Sequence, residues 1–199
     1  MGAWEPFVKV QDIDLNLDDW LPDPQVRTSH RRCAQADAGR LWREAQDVRV
    51  GDAGALGRAV RWRIPGTTAE LSFRELFRRY PFIVLAEGED WSVSGLCGRL
   101  WTLRRDYPRI EGPEQFRAWE QPGTVRVVLG HWVEPDSGGR SELVSEGRIK
   151  PVDRQAGLRL RALWALVGHF ERLIGGDALR VAATRADADQ TGVAAAARE

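Results

Sequence analysis

Lysine is nearly missing from this 199-residue chain. Only Lys9 and Lys150 occur, so almost all of the 29 basic residues are arginine. The arginines are scattered and balanced by 29 acids, for a formal net charge of zero. A general binder of nucleic acid or anionic membrane needs a positive surplus, so neither class fits. The arginine skew reads as GC-rich coding bias, with guanidinium recognition of phosphate or carboxylate as the alternative. Cysteine is equally scarce. Cys33 and Cys97 have no CxxC spacing and the three histidines do not cluster, so no zinc site is expected. Two reduced thiols suit a cytoplasmic protein. The longest unbroken apolar run, residues 162–167, is far too short to cross a bilayer. Residues 1–19 carry acids and no apolar stretch of the kind a secretory signal needs. The chain is therefore expected in the cytoplasm, without stable membrane insertion. P-loop, Rossmann, GxSxG and HExxH motifs are missing too, and Gly54, Gly57 and Gly66 are too spread out to cradle phosphate. No cofactor and no metal are expected.

What is present suffices for one globular domain with a sizeable core. Residues 1–24 read as an arm. The prolines of Trp20-Leu21-Pro22-Asp23-Pro24 hold it extended, and Trp4, Phe7 and Trp20 can dock it on the body. Residues 26–33 read as a strand. Ala38, Leu41, Trp42 and Ala45 give helical spacing within 36–50, with Asp37 as N-cap. Residues 52–64 suit either a helix (Leu56, Val60, Ile64) or, over 60–64, an alternating strand; Pro65-Gly66 ends either. Ser72 and Glu75 have capping-box spacing for a helix over 72–79. Strands follow at 82–87 and 91–103, joined by Gly88-Glu89-Asp90. Pro113 opens a short helix reaching Trp119, and Pro122-Gly123 stops it. Two more strands, 124–135 and 139–151, lead into a long helix from Arg154. Its stripe is Leu160, Leu163, Trp164, Val167, Phe170 and Ile174, and it needs a sheet to lie on. Gly175-Gly176 kinks or ends it, and Asp177 can cap a continuation. Residues 186–199, Ala-rich with scattered charge, are expected to be a disordered tail after a domain spanning 25–185.

These pieces carry a resemblance: Val60-Arg61-Trp62-Arg63-Ile64-Pro65, Gly95-Leu96-Cys97-Gly98-Arg99-Leu100-Trp101, Pro113-Glu114-Gln115-Phe116, Pro122-Gly123 and Ser145-Glu146-Gly147-Arg148. In that order the chain resembles the START-like superfamily, also called the polyketide cyclase/dehydrase and lipid transport (SRPBCC) superfamily. It looks most like a bacterial branch of little-known function, in which threonine is commoner where Gly147 stands. The resemblance covers most of residues 25–185 and leaves the arm outside. It implies an α+β helix-grip (Bet v 1-like) fold, a curved antiparallel sheet wrapped around a long C-terminal helix with a cavity between. The superfamily includes lipid carriers, hormone receptors, aromatic-polyketide cyclases and stress proteins, so fold alone names no activity.

Alternation assigns candidate wall residues. Trp91, Val93, Gly95, Cys97, Arg99 and Trp101 share a face, and the two tryptophans place that face inward. Val125, Val127, Leu129, His131 and Val133 form the inward set of the next strand. Glu146 and Arg148 share a face of the last strand. Arg99 inside an apolar cavity needs a partner, and Glu146 is expected to pair with it or with Arg148. The result is either a structural ion pair or a polar patch that orients a ligand. His131 is either a wall residue bonded to backbone or a general acid or base. His30 and His169 read as structural. Trp101 and Trp164 are candidates for stacking on a flat ligand, and Tyr107 for a place near the cavity mouth.

Three functions follow as expectations. The first is binding of a small apolar or aromatic ligand, with Val93, Arg99, Trp101, Tyr107, Val127, Leu129, Arg148 and Trp164 as its wall. The second is a cyclase, aromatase or dehydratase of polyketide-like specialised metabolism, with Glu146 and His131 as catalytic residues. The third is a protein–protein module whose aromatic arm packs across a homodimer.

Overall fold

The structure is a computed structural model that describes residues 15–102, 104, 107–135 and 140–196, except the side chains of 170, 172–174 and 189–196. Trp4 and Phe7 of the arm lie outside the described residues. The chain is α+β. Strands β1 (Val26–Ala34), β2 (Ile83–Glu87), β3 (Trp91–Gly98), β4 (Val125–Pro135) and β5 (Ser141–Pro151) form one antiparallel sheet in the order β1-β5-β4-β3-β2. Between them lie α1 (Ala38–Asp47), α2 (Gly54–Arg63), α3 (Phe73–Leu76) and α4 (Pro113–Arg117); α5 (Arg154–Ile174) and α6 (Asp177–Ala196) follow the sheet. No helix among the described residues is long and apolar enough to cross a membrane.

Local chemistry sets most boundaries. Asp37 accepts from the Arg40 amide at 2.9 Å and starts α1. Ser72 and Glu75 exchange both bonds of a capping box at the start of α3. The ambiguous stretch before Pro65 is helix, not strand. β3 is shorter than the expected strand over 91–103. Gly98 takes a φ of +153°, a conformation that side chains rarely adopt, and an added Cβ would lie 2.8 Å from the Tyr107 ring. The chain leaves the sheet there, so strand alternation cannot be carried to Arg99 or Trp101.

Both faces of the sheet are covered. On the front face Val26, Ala34, Leu96, Val127, Val133, Leu143 and Ile149 join the main core with residues of α1, α2, α3 and α6. On the back face Val93, Cys97 and Val128 join a second core with Leu17 and Leu21 of the arm, Ile110, and Phe116 of α4. Close approach explains two glycines there. A Cβ on Gly130 would lie 2.9 Å from Leu17, and one on Gly95 would lie 2.8 Å from Phe116. The arm is thus folded onto its own chain over residues 15–24. Trp20 is part of it, with the Arg117 guanidinium 4.0 Å from its ring centroid.

α5 has the anticipated start and length, but its stripe is only partly used. Ala156 and Leu160 are fully buried; Leu163, Trp164 and Val167 are half-buried; Leu166 is 80% exposed. α6 packs along β1 and α1 and buries Leu179, Ala182, Ala183 and Ala186. Its small Ala182, Ala183 and Ala186 let α6 lie close to its neighbours, and the helix runs through Ala196.

Leu21 has no solvent exposure and anchors the arm to the back face. Leu21→Ala is expected to lower unfolding free energy by about 2–5 kcal/mol, as for other buried leucine truncations. Urea melts measure this; a change within 0.5 kcal/mol (roughly the scatter of surface substitutions) would mean the arm adds nothing to the fold.

Candidate functional site

The front face of the sheet is not filled. A cavity of about 800 Å³ lies between it and the helices. Apolar walls come from Trp42 of α1, Leu56 and Val60 of α2, Phe73 of α3, Phe77 at its C-terminal cap, and Phe82. Exposed Arg74, Arg78, Glu87 and Glu89 border it where it meets solvent.

The strand register builds a polar row across the floor. His30 on β1 lies opposite Ser145 on β5; Ser145 lies opposite His131 on β4; His131 lies opposite Ser92 on β3. All four line the cavity. Residues directly opposite in an antiparallel pair have Cβ atoms roughly 5 Å apart, so the row is continuous. The next row is Thr28, Gly147, Leu129, Ser94 and Val84. Gly147 matters here: a Cβ would lie 2.8 Å from the Thr28 hydroxyl, so a side chain would crowd this floor.

Above the row sits Glu171 of α5. Its Oε1 is 2.8 Å from His30 Nε2, while its Oε2 is buried without a hydrogen-bond partner. Gly175 makes room for the pair, since a Cβ there would lie 2.2 Å from His30 Nε2. His131 Nδ1 is likewise buried without a partner. The His131 ring lines the cavity and stacks at a tilt on Phe77, 4.7 Å between centroids. Burial in these surroundings pushes its pKa down to about 4 from 6.5. It is therefore neutral near pH 7, with one ring nitrogen a donor and the other an acceptor. At the far side of the cavity Arg63 donates through Nη2 to the Arg99 carbonyl at 3.0 Å, and its Nη1 is buried without a partner.

Of the ten residues expected at the site, Leu129 and His131 line the cavity. Val127 points to the same side but is packed into the core beside it. Val93 belongs to the back core, because Val93, Gly95 and Cys97 of β3 face away from the cavity and Ser92, Ser94 and Leu96 face toward it. Arg99 is exposed beyond the Gly98 turn, with no bond to Glu146. Trp101 and Trp164 are half-buried at the margin of the main core, and Tyr107 is buried within it; none of the three lines the cavity. Glu146 and Arg148 are buried on the back face. Glu146 takes 2.6 Å and 2.8 Å bonds from Arg148 and Arg27, and Arg148 reaches Asp18 and the Leu21 carbonyl. Burial opposes the charge of Glu146, but the two guanidinium hydrogen bonds outweigh it and hold the carboxyl below its ordinary value. This network fastens the arm and lies a sheet's thickness from the cavity.

Sequence reasoning missed His30, Glu171, Ser145 and Ser92, and placed His30 among structural residues. A signal for His30 existed: Thr28 and His30 alternate in phase with Val26 and Ala34, two core residues. Glu171 had none, since its partner lies 141 residues away. Among the described residues no three His, Cys, Asp or Glu side chains group as a metal site requires.

No protein-family model matches the chain, and no curated protein matches it. Solved structures give distant likenesses. One is hypothetical protein jhp0584 from Helicobacter pylori, with 11% identity, 91% of this chain and 99% of that chain covered, and a TM-score of 0.39. Another is TTHA0849 from Thermus thermophilus, with 11% identity, 82% and 99% coverage, and a TM-score of 0.35. A third is XoxI from Bacillus cereus, with 13% identity, 83% and 98% coverage, and a TM-score of 0.32. At these scores the likenesses carry no functional argument.

The His131 shift has a signed consequence. Its folded pKa is lowered, so between pH 6.5 and about 4 the unfolded chain holds the proton and the folded chain does not. Its burial is without penalty above pH 6.5 and destabilises progressively as pH falls toward 4. The His131 ring signals in an NMR titration are expected to move near pH 4, and His131→Phe is expected to flatten the loss of stability over that window. A midpoint near 6.5 would show the ring to be solvated.

Proposed function

We propose that this chain is a helix-grip protein of the START-like (SRPBCC) kind that binds a small, largely apolar or aromatic molecule in the cavity on the front face of its sheet. The observation that carries the reading is the cavity itself. About 800 Å³, walled by aromatic and aliphatic side chains and floored by a few convergent polar groups, is the size and chemistry of a small-molecule site. A cytoplasmic setting belongs to the same reading, supported by the two free thiols of Cys33 and Cys97.

A neutral fluorescent probe tests it. N-phenyl-1-naphthylamine is expected to bind saturably at one site per chain. Ser145→Phe, which projects a ring from the floor into the cavity, is expected to weaken binding at least about tenfold by overpacking. Unsaturable uptake, or equal affinity in the variant, would remove the cavity from consideration.

A second reading is favoured by the His30–Glu171 pair. An imidazole bonded to a carboxylate and opening on an apolar cavity can move a proton on a folded, polyketide-like substrate, in the manner of a cyclase, aromatase or dehydratase. The catalytic groups would then be His30 and Glu171, not Glu146. On that reading Glu171→Gln abolishes turnover while N-phenyl-1-naphthylamine still binds; unchanged turnover would eliminate the pair.

A further inference from the structure

We infer, resting on the proposed reading of the cavity as a binding site, that its ligand carries a neutral hydroxyl, alcohol or phenol, seated between Glu171 and the His30–Ser145–His131 row. Four groups converge at this end of an otherwise apolar space. Glu171 Oε1 is occupied by His30, but Oε2 is a buried acceptor with nothing to accept from. His131 Nδ1 is a second buried polar atom without a partner, and the Ser145 side chain lies between the two histidines in the register. Leaving a buried polar atom unpaired costs about 1–3 kcal/mol, so an occupant that pairs these atoms gains over one that does not.

The donor and acceptor pattern selects among headgroups. Glu171 Oε2 needs a donor, which excludes a bare carbonyl, ether or hydrocarbon. A carboxylate brings like charge against Glu171 in a poorly hydrated site. An ammonium can donate to Glu171, but it accepts from nothing, and it must shed its hydration to enter. A hydroxyl donates to Glu171 and accepts from a serine or imidazole hydrogen at the same time, with no charge to desolvate. The apolar walls then take the rest of the molecule.

Shape-matched probes separate this inference from the reading beneath it. Isothermal titration would compare 2-naphthol with 2-methylnaphthalene, which replaces the hydroxyl by a methyl group of similar size. The naphthol is expected to bind the native chain about tenfold more tightly, the worth of one hydrogen bond to a charged group. Glu171→Met is expected to erase that advantage, and continued binding of 2-methylnaphthalene by the variant reports an intact cavity. Should that variant fail to fold, Glu171→Gln keeps a partner for His30 and is expected to reduce the advantage. His131→Phe keeps the ring against Phe77 and is also expected to reduce it. Equal binding of the two probes by the native chain, or an advantage that survives loss of Glu171, overturns the hydroxyl assignment and leaves the cavity standing. Binding of neither probe overturns the proposed function itself.

Discussion

Covering both faces of one sheet is the constraint on which the rest of this structure depends. A strand covered on two sides cannot send its polar residues to water, so each must be paired in one interior or the other. β5 shows the division. Leu143, Ser145, Gly147 and Ile149 face the helices, while Val144, Glu146 and Arg148 face the arm and are buried there. On the back face pairing is complete enough to be structural. Glu146 holds Arg27 and Arg148, and Arg148 extends to Asp18 and the Leu21 carbonyl. A buried pair of this kind gains little over a well-packed apolar one, but removing one member leaves a charge stranded. Its placement therefore fixes the arm's register on the sheet more than it raises stability.

With the back face packed solid, the front face is free to be hollow. α3 and its C-terminal cap contribute Phe73 and Phe77, α1 contributes Trp42, and the α5–α6 junction contributes Glu171 and Gly175. α1 and the helix after the junction also bury residues in the main core that do not line the cavity, such as Leu41 and Ala182. The cavity wall is thus anchored by side chains pointing away from it, which keeps the wall from collapsing inward.

Local features of this fold are legible in the sequence; the assignment of faces is not. The Asp37 cap, the Ser72–Glu75 box, the Gly88-Glu89-Asp90 turn and the start of α5 act within a few residues, and each occurs where its chemistry requires. Alternation along β4 also gives the right face, because Val127, Leu129 and Val133 leave little choice. On β3 the same logic fails. Trp91, Val93 and Cys97 look like an inward set, and they are inward, but toward the second core that the arm creates. A sheet with two interiors makes hydrophobic alternation ambiguous, and the more apolar face is the filled one rather than the cavity. Glu146 and Arg148 mislead for the same reason: they are buried and paired, as expected, in the wrong interior. Apart from Trp91 at its start, the cavity residues on β3 are its serines, which read as a solvated face when only one core is assumed. Glu171 is out of reach altogether, since a helix glutamate takes meaning only from the strand it meets.

The front-face polar groups are hard to explain as support for the fold. Glu171 Oε2, His131 Nδ1 and Arg63 Nη1 are all shut from solvent without partners, each at a cost of about 1–3 kcal/mol. Leucine or phenylalanine at 131 would pack on Phe77 without that cost, and a smaller apolar residue at 171 would release His30 from any need for a gap at Gly175. Instead the chain keeps a glycine pair at the α5–α6 break, where a Cβ at 175 would drive the imidazole off its carboxylate. A backbone concession at one element, made to preserve a hydrogen-bonded pair between two others, is the pattern of a site whose geometry matters beyond stability. The back-face network shows that this fold can satisfy buried charge when structure is the only demand. Glu171 Oε2, His131 Nδ1 and Arg63 Nη1 are left unpaired where they border an open space, so a molecule entering that space can pair them.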